Sequence, residues 1–272
     1  MIRRRLSVLG AAAAAALVLA GCSTSTPSES QPSSSAAAST LQEIQDAGVI
    51  TVGTEGTYRP FSFHEDGGGK LTGYDVEIVT AVAEKLGVDV KFEETQWDAI
   101  FAGLDAGRFD VIANQVSINE QRQAKYDFSE PYTVSTGVVV VKSDNNDISS
   151  VADLEGKTSA QSLTSNWYKI AEQAGAKVQS VEGWAQAVSL LEQGRVDATI
   201  NDELTYLDYQ ASHDNKDIKV AAKTDEESQS AFTFQKGSDD LVKAFDTALD
   251  ELRADGTLAK ISEKYFGTDV SQ

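Results

Sequence analysis

Residues 97–115 read WDAIFAGLDAGRFDVIANQ, and residues 184–202 read WAQAVSLLEQGRVDATIND. The two stretches share Trp, Leu, Gly-Arg, Asp and Asn at a constant offset of 87 residues. In the first, Ile100, Phe101 and Leu104 recur at helical spacing, Gly107 stops the helix, and a short apolar strand ends in polar residues. Six identities within eighteen positions read as an internal repeat of one helix–glycine–strand unit. The chain is therefore expected to form two lobes of similar α/β build. Ligands in open α/β sheets gather at the C-terminal ends of strands, so Asn114-Gln115 and Asn201-Asp202 are expected to face a shared cleft.

Outward from the repeat, strands and helices alternate. Val49–Thr54 reads as a buried strand that opens into a glycine-, proline- and aromatic-rich loop carrying Tyr58, Phe61 and Phe63. Over Tyr74–Leu86, Val76, Val79, Val82, Ala83 and Leu86 form one helical face, which Gly87 ends. Val88–Phe92 and the strand from Asp110 follow, then the β-branched run Gly137–Lys142. A second unit runs through strands at Lys157–Gln161, Lys177–Val181 and Asp197–Ile200, with helices between them. This rhythm predicts mostly parallel sheets flanked by helices. After strands Ile218–Ala221 and Ala231–Gln235, an amphipathic helix over Leu241–Leu252 and a last helix through Tyr265 imply a return to the first lobe. Gly67-Gly68-Gly69 lacks a following Lys-Ser/Thr and is no phosphate loop. His64 and His213 sit in polar turns without ligand partners, so no metal is expected.

The N-terminus is not part of this pattern. Arg3–Arg5 precede an apolar run, Leu6–Ala20, too short for a permanent membrane helix. The run ends in Leu19-Ala20-Gly21-Cys22, so residues 1–21 read as a leader and Cys22 as a lipid acceptor. Cys22 is the only cysteine, which excludes a disulfide framework and thiol chemistry in the body. Residues 22–40, rich in Ser, Thr, Ala and Pro, bury no core and read as a tether. The formal charge is −19, and −22 once Arg3–Arg5 leave with the leader. So acidic a body argues against nucleic acid and against anionic lipid surfaces.

From Asp110 to Tyr132 the sequence DVIANQVSINEQRQAKYDFSEPY places Arg122 just past a strand end, among hydroxyl and amide side chains. A guanidinium fork there suits a carboxylate, which it can bind through two parallel hydrogen bonds. By residue type alone, a solvated loop arginine is the commoner context.

Several motifs together carry a resemblance: GTEGTYRPFSF, LTGYDVEIVTAVAEKLG, WDAIFAGLDAGRFDVI, SINEQR with YDFSEPY, and DGTLAKISEKYFG. They span about residues 41–270 in order. The chain resembles the extracytoplasmic solute-binding proteins of polar amino-acid ABC importers, and EGTYRPFSF with ANQVSINEQR resembles their cystine-binding branch. The resemblance implies a two-lobed, type II periplasmic-binding-protein fold joined by a two-strand hinge. Lobe 1 would comprise 41–137 and 231–272, and lobe 2 would comprise 138–230. It places the carboxylate-binding arginine on Arg122, its neighbouring donor on Ser117 with Gln115 two residues earlier, and the enclosing aromatics on Tyr58 and Trp97. In the second lobe it places the carboxylate-completing turn on Thr164, Ser165 and Asn166, at a helix N-terminus. The ammonium acceptor would be Asp202. An N-cap role is the competing reading for Asp202, and core packing the preferred one for Trp184. The family commonly has Gly where Leu163 stands, so Leu163 is expected to narrow the cleft or tilt the turn.

The function implied is capture of a polar amino acid, with L-cystine preferred over glutamine, arginine or histidine. Hinge closure around the ligand would be followed by delivery to a membrane permease, with the protein a lipid-anchored monomer outside the cytoplasm and without cofactor. An enzyme on the same scaffold would need a general acid or base near Arg122. Glu55 is the one candidate, and no paired carboxylate or histidine supports it.

Overall fold

Asp110 and Asp197, the repeated aspartates, make the same contact in the computed structural model, which describes residues 38–272. Asp110 Oδ2 accepts the Thr51 amide at 2.8 Å, and Asp197 Oδ2 accepts the Thr158 amide at 2.7 Å. Each thereby fastens its strand to a parallel neighbour. Gly107 and Gly194, with φ of 66° and 68°, stop the two preceding helices in the left-handed region that glycine adopts at little cost. The expected leader, Cys22 and tether residues 22–37 lie outside the described residues.

The chain enters through α1 (Leu41–Ala47), boxed by Thr40 and Glu43, and β1 (Val49–Thr54). A small antiparallel sheet of β2 (Thr57–Tyr58), β3 (Ser62–His64) and β4 (Leu71–Thr72) carries the aromatic loop. The first lobe continues with α2 (Tyr74–Leu86), β5 (Asp89–Glu94), α3 (Trp97–Asp105) and β6 (Val111–Ile112). Next come α4 (Glu120–Gln123) and β7 (Tyr126–Phe128). The long strand β8 (Thr133–Lys142) leads into the second lobe. There β9 (Thr158–Gln161), α5 (Asn166–Gln173), β10 (Lys177–Ser180), α6 (Trp184–Glu192), β11 (Ala198–Asp202) and α7 (Glu203–His213) follow. β12 (Ile218–Ser230) leads back to β13 (Thr233–Gln235), α8 (Asp239–Ala254) and α9 (Thr257–Phe266).

The two five-stranded sheets, β5-β1-β6-β13-β7 and β10-β9-β11-β8-β12, have one design. In each, the first three strands are parallel and the fourth is antiparallel to both its neighbours. The reversed strand, β13 or β8, is the one on which the chain arrives from the other lobe. Val138–Val141 are all fully buried, because one face of their sheet packs under α6 and the other under α5. A continuous β-branched run is what a strand covered on both faces requires. In the first lobe Leu241, Phe245, Leu249 and Leu258 of the returning helices share one core with Ile50, Val52 and Val79. Among the described residues no helix is long and apolar enough to cross a membrane.

β8 and β12 are longer than their apolar centres foretell. Their polar ends, Thr133–Thr136 and Glu227–Ser230, pair with each other where the chain passes between the sheets. Register shifts at Val220/Ala222 and Lys223/Glu227 interrupt the ladder beside that passage, where β-bulges let a strand pair bend.

Candidate functional site

A cavity of about 240 Å³ opens where the C-terminal ends of β1, β6, β9 and β11 converge. Of the residues expected at the site, Tyr58, Trp97, Asn114, Gln115, Ser165 and Asn166 line it. Ser117, Arg122, Thr164 and Asp202 are not among the lining side chains, although the last three are tied into the surrounding polar framework.

Arg122 lies on α4, whose N-cap Asn119 accepts the Arg122 amide at 2.9 Å. The residue is 8% exposed, and its guanidinium carbon packs 5.4 Å from the Trp97 ring centre and 5.3 Å from that of Phe101. It donates to two neutral carbonyls, Ser117 O at 2.8 Å and Thr164 O at 3.1 Å. Among the described residues no carboxylate pairs with it. Burial accordingly pushes its pKa down to about 10. Ser117 offers its carbonyl to Arg122, while its hydroxyl is 3.0 Å from that of Ser228.

In the second lobe, Thr164 reaches across the cleft mouth. Its amide and hydroxyl donate to Asp98 Oδ1 at 3.1 and 2.8 Å. Ser165 caps α5, accepting the Trp167 amide, and Asn166 opens that helix. Asp202 takes the capping role: its Oδ1 accepts the Leu204 amide at 2.9 Å and its Oδ2 the Ser135 hydroxyl. The side chain on the cleft at that strand end is Asn201, whose Oδ1 accepts from Tyr58 at 3.0 Å. Leu163 is 54% exposed and outside the lining, so it does not narrow the cleft as its departure from the family pattern suggests.

The first-lobe wall is acidic beneath its amides. Asn114 Oδ1 accepts from Thr54, Ser62 and the Glu55 amide, and its Nδ2 donates to Glu55 Oε2 at 2.7 Å. Gln115, at φ 49°, donates its backbone amide and its side chain to Asp75, which is fully buried. Burial drives the pKa of Glu55 and of Asp75 up to about 7 and that of Asp202 up to about 6, their hydrogen-bond donors offsetting only part of it. Between the ordinary carboxylate range and about pH 6 to 7, all three hold protons in the folded state that they release when unfolded. Their stabilisation is therefore complete below the ordinary carboxylate range and is lost as pH rises through about 6 to 7. The urea midpoint is expected to be higher at pH 5 than at pH 8, with Glu55→Gln flattening the slope. Equal midpoints in the parent protein would overturn that linkage.

Sequence reasoning missed two features. Trp184 packs against the second-lobe core as expected but also lines the cleft, because it opens α6 at the strand-end edge of its sheet as Trp97 opens α3. The offset of the repeat was the signal that could have found it. Asp75 left no signal, since an acid in a helix's first turn is commonplace.

Against known proteins, residues 50–268 match the family of bacterial extracellular solute-binding proteins, family 3. The L-cystine-binding protein TcyA of Bacillus subtilis (strain 168) is 57% identical over 229 residues, 84% of this chain and 85% of that one. The L-cystine solute receptor of Neisseria gonorrhoeae, in its unliganded open conformation, is 52% identical with a TM-score of 0.58, covering 85% of this chain and 99% of that one. An ancestral arginine-binding protein bound to arginine is only 37% identical yet superposes at 0.76, covering 81% and 99%. Sequence distance alone would order these the other way. The chain thus superposes better on that ligand-bound structure than on the unliganded open one. These relatives are binding proteins, not enzymes. Two sheets of one repeated design, a polar cleft at their strand ends and a family match over most of the body lead to one assignment: the chain belongs to the bacterial extracellular solute-binding proteins, family 3.

Proposed function

We propose that this protein captures L-cystine outside the cytoplasm and delivers it to an ABC-importer permease. The observation that carries the proposal is Arg122: a buried fork, stacked on Trp97 and Phe101, that faces neutral carbonyls and no acid. An α-carboxylate is the missing partner for such a group. Glu55 lines the cavity and Asp202 follows the lining residue Asn201 at the end of β11, acidic positions that suit an ammonium. Glu55, in the cavity wall, leaves an acidic position for a second ammonium, as a ligand with two amino-acid halves requires. The 57% identity to an L-cystine-binding protein supports the choice among polar amino acids.

In this reading Tyr58 and Trp97 cover the ligand, and Asn114, Gln115, Ser117, Thr164, Ser165, Asn166 and Asp202 complete its polar surroundings. The strand pair at 133–137 and 227–230 serves as hinge between lobe 1 (41–137 and 231–272) and lobe 2 (138–230). Ligand that touches both lobes favours closure by its differential affinity for the closed form. Cys22 anchors the chain to the membrane as a lipoprotein through the tether; a lipid adduct on Cys22 by mass spectrometry is the corresponding check.

A thermal-shift panel tests the ligand. L-Cystine is expected to raise the melting temperature more than glutamine, arginine or histidine at equal concentration, since a ligand stabilises the state it binds by mass action. A larger shift with any of the other three would refute cystine as the ligand.

A further inference from the structure

The amide of Gln115 has a fixed polarity. Its Nε2 donates to Asp75 Oδ1 at 2.6 Å and to Thr133 Oγ1 at 3.0 Å, so both of its hydrogens are committed. Its backbone N–H goes to Asp75 Oδ2 at 2.8 Å. No donor remains on this residue. Its Oε1 is buried, has no hydrogen-bond partner among the described residues, and belongs to a residue of the cavity wall that is 8% exposed. Above about pH 7, where Asp75 is ionised, exchanging O and N would set the amide oxygen against a carboxylate oxygen, two acceptors with no proton between them. In that range the chemistry fixes the orientation.

An unsatisfied buried acceptor is costly, and a cleft that carries one is completed by a donor. We infer that Gln115 is an ammonium-reading residue of the cleft and that Asp75 is the positioning residue that makes it an acceptor only. This rests on the reading of the cleft as an amino-acid site and deepens it. It also gives the ligand a direction: carboxylate toward Arg122, ammonium toward Gln115. Gln115 thus moves from the donor group beside the carboxylate, where the resemblance put it, to the opposite pole of the ligand. The left-handed backbone of Gln115 is part of the device, because the two bonds to Asp75 hold the residue at φ 49°.

Asp75→Asn should invert the device without changing its shape. The backbone N–H of Gln115 cannot turn round, so the new Asn oxygen must face it. The Asn NH₂ then faces the Gln115 side chain, which flips to accept and presents its own NH₂ in place of Oε1. The probes are L-cystine and 3,3′-dithiodipropionic acid, the same disulfide diacid without amino groups, titrated calorimetrically at pH 8, where Asp75 is ionised. The parent protein is expected to prefer L-cystine strongly. Asp75→Asn, and independently Gln115→Met, should each cut that preference about tenfold or more, the order expected for a hydrogen bond to a charged group. Binding of the diacid should stay within about threefold of the parent protein's. If both variants keep the full preference, or weaken both compounds equally, the inference is wrong. If the parent protein binds another amino acid and not L-cystine, the cystine reading fails on its own. The same comparison is then run with that amino acid and its deaminated analogue.

Discussion

Arg122→Ala is expected to weaken L-cystine binding at least about hundredfold by calorimetry, because removing one member of a buried charge pair costs roughly 2–5 kcal/mol. The same variant should melt within a few degrees of the parent protein without ligand. In the parent, the guanidinium is buried against neutral carbonyls, and burial already pulls its pKa down to about 10. Removing it relieves that desolvation and leaves a cavity between Trp97 and Phe101, two effects of opposite sign. Arg122→Lys separates charge from shape: a point charge cannot reproduce the fork, so affinity should remain about tenfold down. Binding retained within a factor of a few in Arg122→Ala would remove the carboxylate role assigned to this residue.

Gly53→Val is the substitution expected to damage the fold most. Gly53 lies in β1, and a Cβ there would sit 2.5–2.6 Å from the Phe109 ring; at Gly103 of α3 it would sit 2.7 Å from the same ring. The two glycines form a slot for Phe109, which packs with Trp97, Ile100, Leu104 and Ile112 in one cluster. Neither needs left-handed backbone, so the requirement is one of space alone. Overpacking a closed core costs about 1–3 kcal/mol, and here the ring has nowhere to go. At the upper end of that range the melting temperature should fall by roughly 10 °C. Ligand affinity should fall with it, since Trp97 and Phe109 share the cluster. Gly53→Val with Phe109→Leu should recover part of the loss; no recovery would show that the clash lies elsewhere.

How much of this was legible in the sequence depended on whether the physics was local. Helix α2 could be read to its ends because a periodic apolar face stops at a glycine. The repeat foretold two lobes because Gly107 and Gly194, and Asp110 and Asp197, have the same work in both. The polar ends of β8 and β12 could not be read as strands. Thr133–Thr136 and Glu227–Ser230 carry no alternating pattern, and only their pairing across 91 residues of chain, from Thr136 to Glu227, makes them extended. Within the site, Arg122 was legible as a fork near a strand end. The cap on α7 was legible too, as one of two readings of Asp202, but the bonds it accepts from Leu204 and Ser135 are geometry that no spacing encodes. Asp75 acts from a different helix, 40 residues before Gln115, and burial alone gives it meaning.

The cavity wall has one more consequence. The chain contains three tryptophans, and Trp97, Trp167 and Trp184 all line that cavity. Trp97 belongs to the first lobe, and the other two to the second. Every indole in the molecule therefore changes its surroundings when the lobes part or close on a solute. Capture can be followed by intrinsic emission on the unlabelled protein, with essentially no constant background from indoles elsewhere. Replacing each tryptophan by phenylalanine in turn would divide that optical signal between the two walls.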